Sequence, residues 1–301
     1  MPYDAKDPRA SLAGASGAES KLPTEFAGAD YLKFYETNPD ETSPGVKTWY
    51  GRGQNLIVAY TEAGEDTIFS RTGQPDEYVL LLPERDMAVE IATGDGVKRV
   101  SGHTIAIIPP GESSVRLLAK GRFVRLFTVP SEDLAKKCSN AKSYVTPHPN
   151  VAPFKPWPAP RDGYRLRTYS LDVPPQEGRF GRIWRCSTIM VNYLPPQKGP
   201  RDATKMSPHV HDDFEQYSLA LEGVFMHYLR WPWGTDMNKW RADDHEECRA
   251  VSVAVIPPPA IHTTRAVDKN VNQLVDIFCP PRVDFSQKPG WVLNADEYPM
   301  P

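Results

Sequence analysis

The chain has 301 residues, of which 40% are hydrophobic and 24% are charged, and its formal net charge is −3. This composition is typical of a soluble globular protein with one large or two ordinary domains, and it excludes a disordered chain. An acidic balance without a basic stripe argues against nucleic-acid binding. No segment has the roughly 18 consecutive apolar residues of a membrane span.

The cellular location is predicted from the cysteines and from the first residues of the chain. Cys138, Cys186, Cys248 and Cys279 are widely separated and form no CxxC pair, which is typical of reduced thiols. Residues 1–20 lack the charged start and the apolar run of a secretory signal peptide. Both observations predict a cytoplasmic protein.

Proline content and apolar runs divide the chain into five predicted segments. The 31 prolines alternate with short apolar runs, and proline is excluded from the middle of helices and of central strands. We therefore predict an all-β fold in which two units repeat one antiparallel architecture, with one short helix near Tyr31–Tyr35. In chain order the segments are an N-terminal extension (1–45), a first strand-rich unit (46–145), a proline-rich linker (146–163), a second strand-rich unit (164–284) and a C-terminal tail (285–301).

The second unit contains a cluster of residue types that bind metal ions. His209 and His211 are two residues apart, so both imidazoles face the same side of an extended strand. Glu215 and Gln216 follow with oxygen donors, and His262 comes after a proline-rich turn farther along the chain. Neutral imidazoles with an oxygen donor suit a divalent transition metal. The alternative is a set of hydrogen-bonded histidines without a metal, and the combined motif favours the metal site.

These residues resemble the two sequence motifs of the cupin superfamily. The first motif, HxH followed by an acidic residue and a glycine, resembles His209-Val-His211 with Gly223 downstream. The second motif, a proline turn that ends in histidine, resembles Pro257–His262, although proline replaces the glycine of that turn. The resemblance implies a small antiparallel β-barrel with one metal ion inside. The ligands it implies are both histidines of the first motif, the acid position and His262.

The oxygen ligand implied by the resemblance falls on one of two adjacent residues. Counting forward from His211 gives Glu215, whereas the six-residue spacing of the family counted back from Gly223 gives Gln216. Adjacent strand residues face opposite sides, so only one of the two can face the metal. The glycine turn anchors the strand and favours Gln216, whose neutral amide would bind a metal more weakly than a carboxylate.

The first unit shows the same spacing without the ligands. Glu77 lies seven residues before Glu84, and the two HxH positions counted back from Glu77 are Arg71 and Gly73. Ser114 stands where the histidine of the second motif would be. We therefore predict two cupin barrels in one chain, of which only the second binds a metal.

The resemblance implies a metal-dependent enzyme with a small-molecule substrate and one divalent transition metal per chain. Some two-barrel cupins cleave rings or dicarbonyl bonds with histidine ligands and no strong carboxylate, so the first prediction is an Fe(II) dioxygenase. Fe(II) is the favoured ion, and Mn, Ni, Cu or Zn are alternatives. Because cupins often pair, a homodimer is also expected.

Two other functions are compatible with the same motifs, because a fold does not set a function. One is a redox-neutral isomerase, lyase or decarboxylase, in which His227 or Tyr228 moves a proton beside the metal. The other is a non-enzymatic ligand-binding cupin.

Overall fold

The computed structural model describes residues 25–234 and 236–301. The strands up to the end of the first unit are β1 (Asp30–Lys33), β2 (Glu41–Ser43), β3 (Val46–Arg52), β4 (Leu56–Ala63), β5 (Ile68–Gln74), β6 (Tyr78–Leu82), β7 (Ala88–Thr93), β8 (Gly96–Ser101), β9 (Thr104–Ile108), β10 (Gly111–Leu117) and β11 (Gly121–Thr128). The later strands are β12 (Arg167–Ser170), β13 (Ile183–Arg185), β14 (Met190–Tyr193), β15 (Gln197–Lys198), β16 (Gln216–Glu222), β17 (Val224–Arg230), β18 (Asp244–Arg249), β19 (Ser252–Ile256), β20 (Ile261–Ala266) and β21 (Val271–Phe278).

The helical segments of the described residues are short. The α-helices are α1 (Glu132–Ala135) and α2 (Val283–Ser286), and 3-10 helices cover Ala141–Tyr144 and Met237–Lys239. None of the helices in this part of the chain has the length and apolarity needed to cross a membrane.

Each half of the chain closes into a barrel made of two antiparallel sheets. In the N-terminal barrel, a sheet in the order β12-β9-β6-β11-β4-β3-β2 faces a sheet in the order β5-β10-β7-β8. In the C-terminal barrel, a sheet in the order β1-β19-β16-β21-β14-β13, with β15 also paired to β21, faces the sheet β18-β17-β20. The prediction of an all-β chain with two antiparallel barrels is confirmed.

The two barrels exchange one strand each. Strand β1, from the predicted extension 1–45, pairs with β19 of the C-terminal barrel and places Leu32 opposite Val253. Strand β12, from the predicted second unit 164–284, pairs with β9 of the N-terminal barrel. Each barrel therefore includes one strand from the other half of the chain.

The exchange shows what the sequence pattern missed. The helix predicted near Tyr31–Tyr35 is wrong, because residues 30–33 are an extended strand that pairs with β19. Strand formation depends on cross-strand neighbours, and a four-residue pattern carries no information about a partner so far along the chain. The two exchanged strands also fall on the other side of the predicted boundaries at 45 and 164. Residues 1–24 of the predicted extension lie outside the described residues.

The large sheets of the two barrels pack on each other through one shared apolar core. Along β4, Val58 faces the other barrel and Ile57 faces the interior of its own barrel. Along β16, Leu219 faces the N-terminal barrel, whereas Ser218 faces the interior of its own barrel. Since side chains alternate along a strand, each of these sheets contributes to two different cores.

We expect the shared core to dominate the stability of the protein. Leu219→Ala removes a fully buried side chain from this core and should lower the free energy of unfolding by about 2–5 kcal/mol. The matched control Val97→Ala, at a position that is 71% exposed, should change it by about 0.5 kcal/mol or less. Guanidinium denaturation of the three proteins checks this, and equal midpoints for both variants would contradict it.

Candidate metal site

Three histidines meet inside the C-terminal barrel. The backbones of His209 and His262 are bridged in both directions: His209 N donates to His262 O at 3.0 Å, and His262 N donates to His209 O at 2.8 Å. The ring centroids of His209 and His262 are 4.3 Å apart, and that of His211 lies 5.0 and 5.1 Å from them. Val210, between His209 and His211, is exposed, as the alternation of side chains along an extended segment requires.

Backbone carbonyls fix the tautomer of two of the imidazoles. His209 Nδ1 lies 3.0 Å from Ser207 O, and His262 Nδ1 lies 2.9 Å from Ala260 O. A carbonyl oxygen only accepts hydrogen bonds, so each Nδ1 carries the hydrogen and donates it. The lone pairs of both rings are therefore on Nε2 and point at the centre of the cluster.

The side-chain oxygen of Gln216 faces the three imidazoles. Its Oε1 lies 3.4 Å from His209 Nε2, 3.0 Å from His211 Nε2 and 3.4 Å from His262 Nε2. Its Nε2 donates to Ser218 Oγ at 3.1 Å and to Asp276 Oδ1 at 3.2 Å. Because a carboxylate oxygen accepts, Asp276 forces the amide hydrogens toward itself and the amide oxygen toward the imidazoles.

This donor set fits a divalent transition metal. At least three of the four converging atoms, two imidazole nitrogens and the amide oxygen, face one another with lone pairs and no hydrogen between them. The three imidazoles offer ligand atoms that all lie within 4.8 Å of one another. The Gln216 oxygen lies 3.0–3.4 Å from the three Nε2 atoms, which matches the spacing of ligand atoms around one ion with bonds of about 2.0–2.2 Å. Imidazole and neutral oxygen donors suit Mn, Fe, Ni, Cu or Zn.

Burial keeps the imidazoles in the neutral form that binds metals. Desolvation, with a smaller contribution from the Arg282 charge, lowers the pKa of His262 to about 4, and a hydrogen bond to Ala260 opposes the shift in part. Desolvation also lowers the pKa of the His211 imidazole well below its usual value, and Arg282 again adds to the effect. Both rings are therefore uncharged at neutral pH.

The structure separates the two candidate oxygen ligands. Gln216 faces the imidazoles, whereas Glu215 points to the N-terminal barrel, where its Oε2 accepts from Gln54 N at 2.7 Å and from Tyr217 OH at 2.6 Å. Glu215 is therefore not among the residues that meet at the cluster. The spacing from Gly223 identified the inward-facing residue, and the count from His211 did not.

The structure also separates the two predicted proton carriers. His227 is fully buried inside the C-terminal barrel, and its Nδ1 lies 3.0 Å from Thr264 Oγ1. Its Nε2 has no hydrogen-bond partner among the residues that the structure describes. Burial, with a smaller contribution from His262, lowers its pKa to about 3. Tyr228 lies on the opposite face of β17, where its ring packs edge-on against His245. The geometry thus brings only His227 to the interior that holds the cluster.

The corresponding positions of the N-terminal barrel hold no imidazole. Tyr78 begins β6 as Gln216 begins β16, and its OH lies 3.1 Å from Ser113 Oγ. Ser113 pairs with Arg71 as His262 pairs with His209. The sequence prediction placed Ser114 at the histidine position, but Ser113 is the buried residue that faces inward. A register irregularity between Gly111 and Ser113 explains the one-residue error.

The interior of the N-terminal barrel is mostly apolar and contains the buried Arg125. Arg125 pairs with Leu80 as Asp276 pairs with Ser218 in the other barrel. The N-terminal barrel therefore has a cation at the position where the C-terminal barrel has the Asp276 carboxylate. The Arg125 guanidinium lies 4.5 Å from the centre of the Phe69 ring. Within the described residues, no second group of metal-binding side chains accompanies the three histidines.

A cavity of about 150 Å³ opens beside the cluster. Its wall includes His209, Gln216, Thr264, Asp276 and Arg201. The guanidinium donates from Nη1 to Thr264 O at 3.0 Å and from Nη2 to Ser207 Oγ at 3.0 Å and Lys205 O at 2.8 Å. The barrel thus presents a cation and a carboxylate to the same small space.

Sequence reasoning missed Asp276 and Arg201. An acidic residue within the apolar end of β21 (274–278) is a signal for Asp276, because such a residue lies among apolar neighbours only with a polar partner. Arg201 lies in a polar loop whose sequence gives no sign that it folds back over the barrel.

The described residues resemble several solved proteins in fold. An oxalate decarboxylase from Lactobacillus farciminis is 13% identical, with 86% of this chain and 89% of that chain covered and a TM-score of 0.56. A single-substitution variant of the Bacillus subtilis oxalate decarboxylase is 14% identical, with 92% and 90% covered and a TM-score of 0.56. AerE from Microcystis aeruginosa is 10% identical, with 86% and 100% covered and a TM-score of 0.50.

No family model and no curated protein sequence matches the chain. At these identities the structural likeness establishes the fold. The chain has the two-barrel cupin fold that the sequence motifs implied.

The geometry predicts one metal ion per chain, held by the C-terminal barrel. Purified protein reconstituted with Mn(II) or Fe(II) and passed over a desalting column should retain about one equivalent, because only one barrel has the donor set. His262→Ala should abolish retention, since it removes one of the three imidazoles. The control His245→Ala changes an exposed imidazole outside the barrel interior and should retain the metal. Equal metal content in both variants would rule out this site.

Proposed function

We propose that the chain is a metal-dependent enzyme that carries out a redox-neutral reaction, decarboxylation, lyase cleavage or isomerisation, on a small oxygenated organic acid. The observation that carries this proposal is the convergence of three imidazole nitrogens and the Gln216 oxygen beside a small cavity that Asp276 and Arg201 also line. A structural metal site has no need of such a cavity, and a binding pocket with a few convergent polar groups is the usual site of chemistry.

The ion would be held by His209, His211 and His262 through Nε2, and by Gln216 through Oε1. When bound, it supplies Lewis acidity and a template for a carboxylate or carbonyl group. Ser218 and Asp276 hold the Gln216 amide in the orientation that presents its oxygen. The neutral donor set leaves the full charge of the ion available to an anionic substrate.

Arg201 gives the cavity its preference for an acid. Three acceptors, two of them backbone carbonyls, hold its guanidinium at the wall that also contains His209. The charge of a positioned guanidinium attracts a carboxylate. A substrate carboxylate that meets this cation is oriented with its reacting end toward the cluster.

Asp276 is the residue to which we assign proton transfer. It is the one carboxylate among the described residues of the cavity wall, and its Oδ1 already accepts from Ser218 Oγ at 2.9 Å. A carboxylate in this position can take a proton from a substrate or return one to it. His227 contacts Thr264 of the same wall, but its low pKa makes it a weak proton acceptor.

The structural relatives favour the redox-neutral alternative over the Fe(II) dioxygenase. Oxalate decarboxylases are among the most similar solved structures, and the Bacillus subtilis enzyme has Mn(II) centres. Mn(II) is therefore the first ion to test. The Fe(II) dioxygenase remains a prediction of the sequence, and oxygen consumption distinguishes the two reactions.

The decisive experiment is turnover under nitrogen. Mn(II)-loaded protein is incubated with oxalate and with a panel of 2-oxo and dicarboxylic acids, and CO2, cleaved products and isomers are measured with and without O2. We expect turnover in the absence of O2 that is lost in His262→Ala. Turnover that requires stoichiometric O2 would establish the oxygenase instead. Binding of an acid without turnover would favour the ligand-binding alternative.

The role of Asp276 is tested by Asp276→Asn. The asparagine oxygen can still accept from Gln216 and Ser218, so the metal content should stay the same. Loss of the proton carrier should lower kcat by about 10²–10⁴-fold. The control Asp243→Asn changes an exposed carboxylate that pairs with Arg230, and it should leave kcat unchanged. If Asp276→Asn keeps full activity, proton transfer belongs to another group.

A further inference from the structure

We propose that the N-terminal barrel helps to position the metal site. The turn between β3 and β4, at residues 53–55, holds Glu215 and thereby fixes the strand that carries Gln216. This inference rests on the proposed metal site. It assigns a role to the barrel that lacks ligands and to the acidic residue that faces away from the cluster.

Glu215 is an anchor between the barrels. Its side chain is 1% exposed, and its Oε2 accepts from the backbone N of Gln54 at 2.7 Å. The same oxygen accepts from Tyr217 OH at 2.6 Å, and Leu56 N donates to that hydroxyl oxygen at 3.3 Å. Two backbone amides of the N-terminal barrel are thus bound to two side chains of the C-terminal barrel.

Gly53 allows this close approach. A Cβ at this position would lie 2.5 Å from Glu215 Oε2 and would overlap the Tyr217 hydroxyl. The loop therefore approaches the anchor more closely than any residue with a side chain could. Such a fit is expected where a backbone is held against a polar group.

The anchored residues flank Gln216 directly. Glu215 and Tyr217 point to the N-terminal barrel, and Gln216 between them points to the imidazoles. Before the strand, Ala152 N donates to Asp213 O at 2.8 Å. A ligand must be held within about 0.5 Å of its bound position for tight metal binding, and this backbone is held on both sides of the ligand.

The N-terminal barrel contains an equivalent anchor that serves no ligand. Glu77 precedes Tyr78 as Glu215 precedes Gln216, and it is fully buried. It accepts from Ser187 N at 3.0 Å, from Ser187 Oγ at 2.7 Å and from Tyr298 OH at 2.8 Å. Because Tyr78 is not a metal-binding residue, Glu77 is a matched control in the same interface.

The test compares Glu215→Ala with Glu77→Ala. Both remove a buried carboxylate from the interface and leave buried donors without acceptors, so both should lower the melting temperature. Only Glu215→Ala should weaken Mn(II) binding, by about 10–100-fold, the usual effect of losing a residue that orients a ligand. Glu215→Gln keeps an acceptor oxygen and should restore most of the affinity. Gly53→Ala, made in the other barrel, should also weaken Mn(II) binding.

A second readout does not depend on metal. In the metal-free protein, hydrogen–deuterium exchange of a peptide that spans residues 213–219 should be faster in Glu215→Ala than in Glu77→Ala. Equal Mn(II) affinity and equal exchange in the two alanine variants would overturn the inference. If the wild-type chain binds no Mn(II), the proposed function fails, and the exchange data still decide whether Glu215 anchors the strand. If Glu215→Ala does not fold, Glu215→Gln and Gly53→Ala are judged by the same two readouts.

Discussion

The site depends on the convergence of imidazole nitrogens and one amide oxygen whose lone pairs a bound cation would coordinate. Carbonyl partners at Ser207 and Ala260 turn two imidazoles so that Nε2 has no hydrogen, and Asp276 turns the Gln216 amide so that its oxygen faces them. Burying acceptor atoms close together without hydrogens between them costs free energy, and coordination to a bound ion would offset this cost. The hydrogen-bond partners around the four converging side chains therefore shape the site as much as those side chains do.

The interiors of the two barrels can differ because an apolar core between their large sheets joins them. The large sheets of both barrels pack on each other, so the interior of the C-terminal barrel can contain polar groups such as Ser218, Asp276 and His227. The N-terminal barrel keeps the same strand positions, and Tyr78, Leu80 and Arg125 occupy them. The two barrels thus share one architecture and differ in the side chains of their interiors.

Most of the fold and the core of the site could be predicted from local patterns. The HxH spacing and the glycine turn identified His209, His211 and Gln216, because strand alternation relates sequence position to side-chain direction. The exchange of β1 was not predictable, since its pairing with β19 depends on contacts between distant segments. Arg201 was missed for the same reason: a loop position becomes a cavity wall only after the barrel has closed.

The most direct test is a crystal of the protein grown with Mn(II) and measured for anomalous scattering. We expect one peak per chain, inside the C-terminal barrel, at about 2.0–2.2 Å from the three imidazole Nε2 atoms and in contact with the Gln216 oxygen. A peak in the N-terminal barrel, or imidazoles that stay hydrogen-bonded with no ion at saturating Mn(II), would contradict the account.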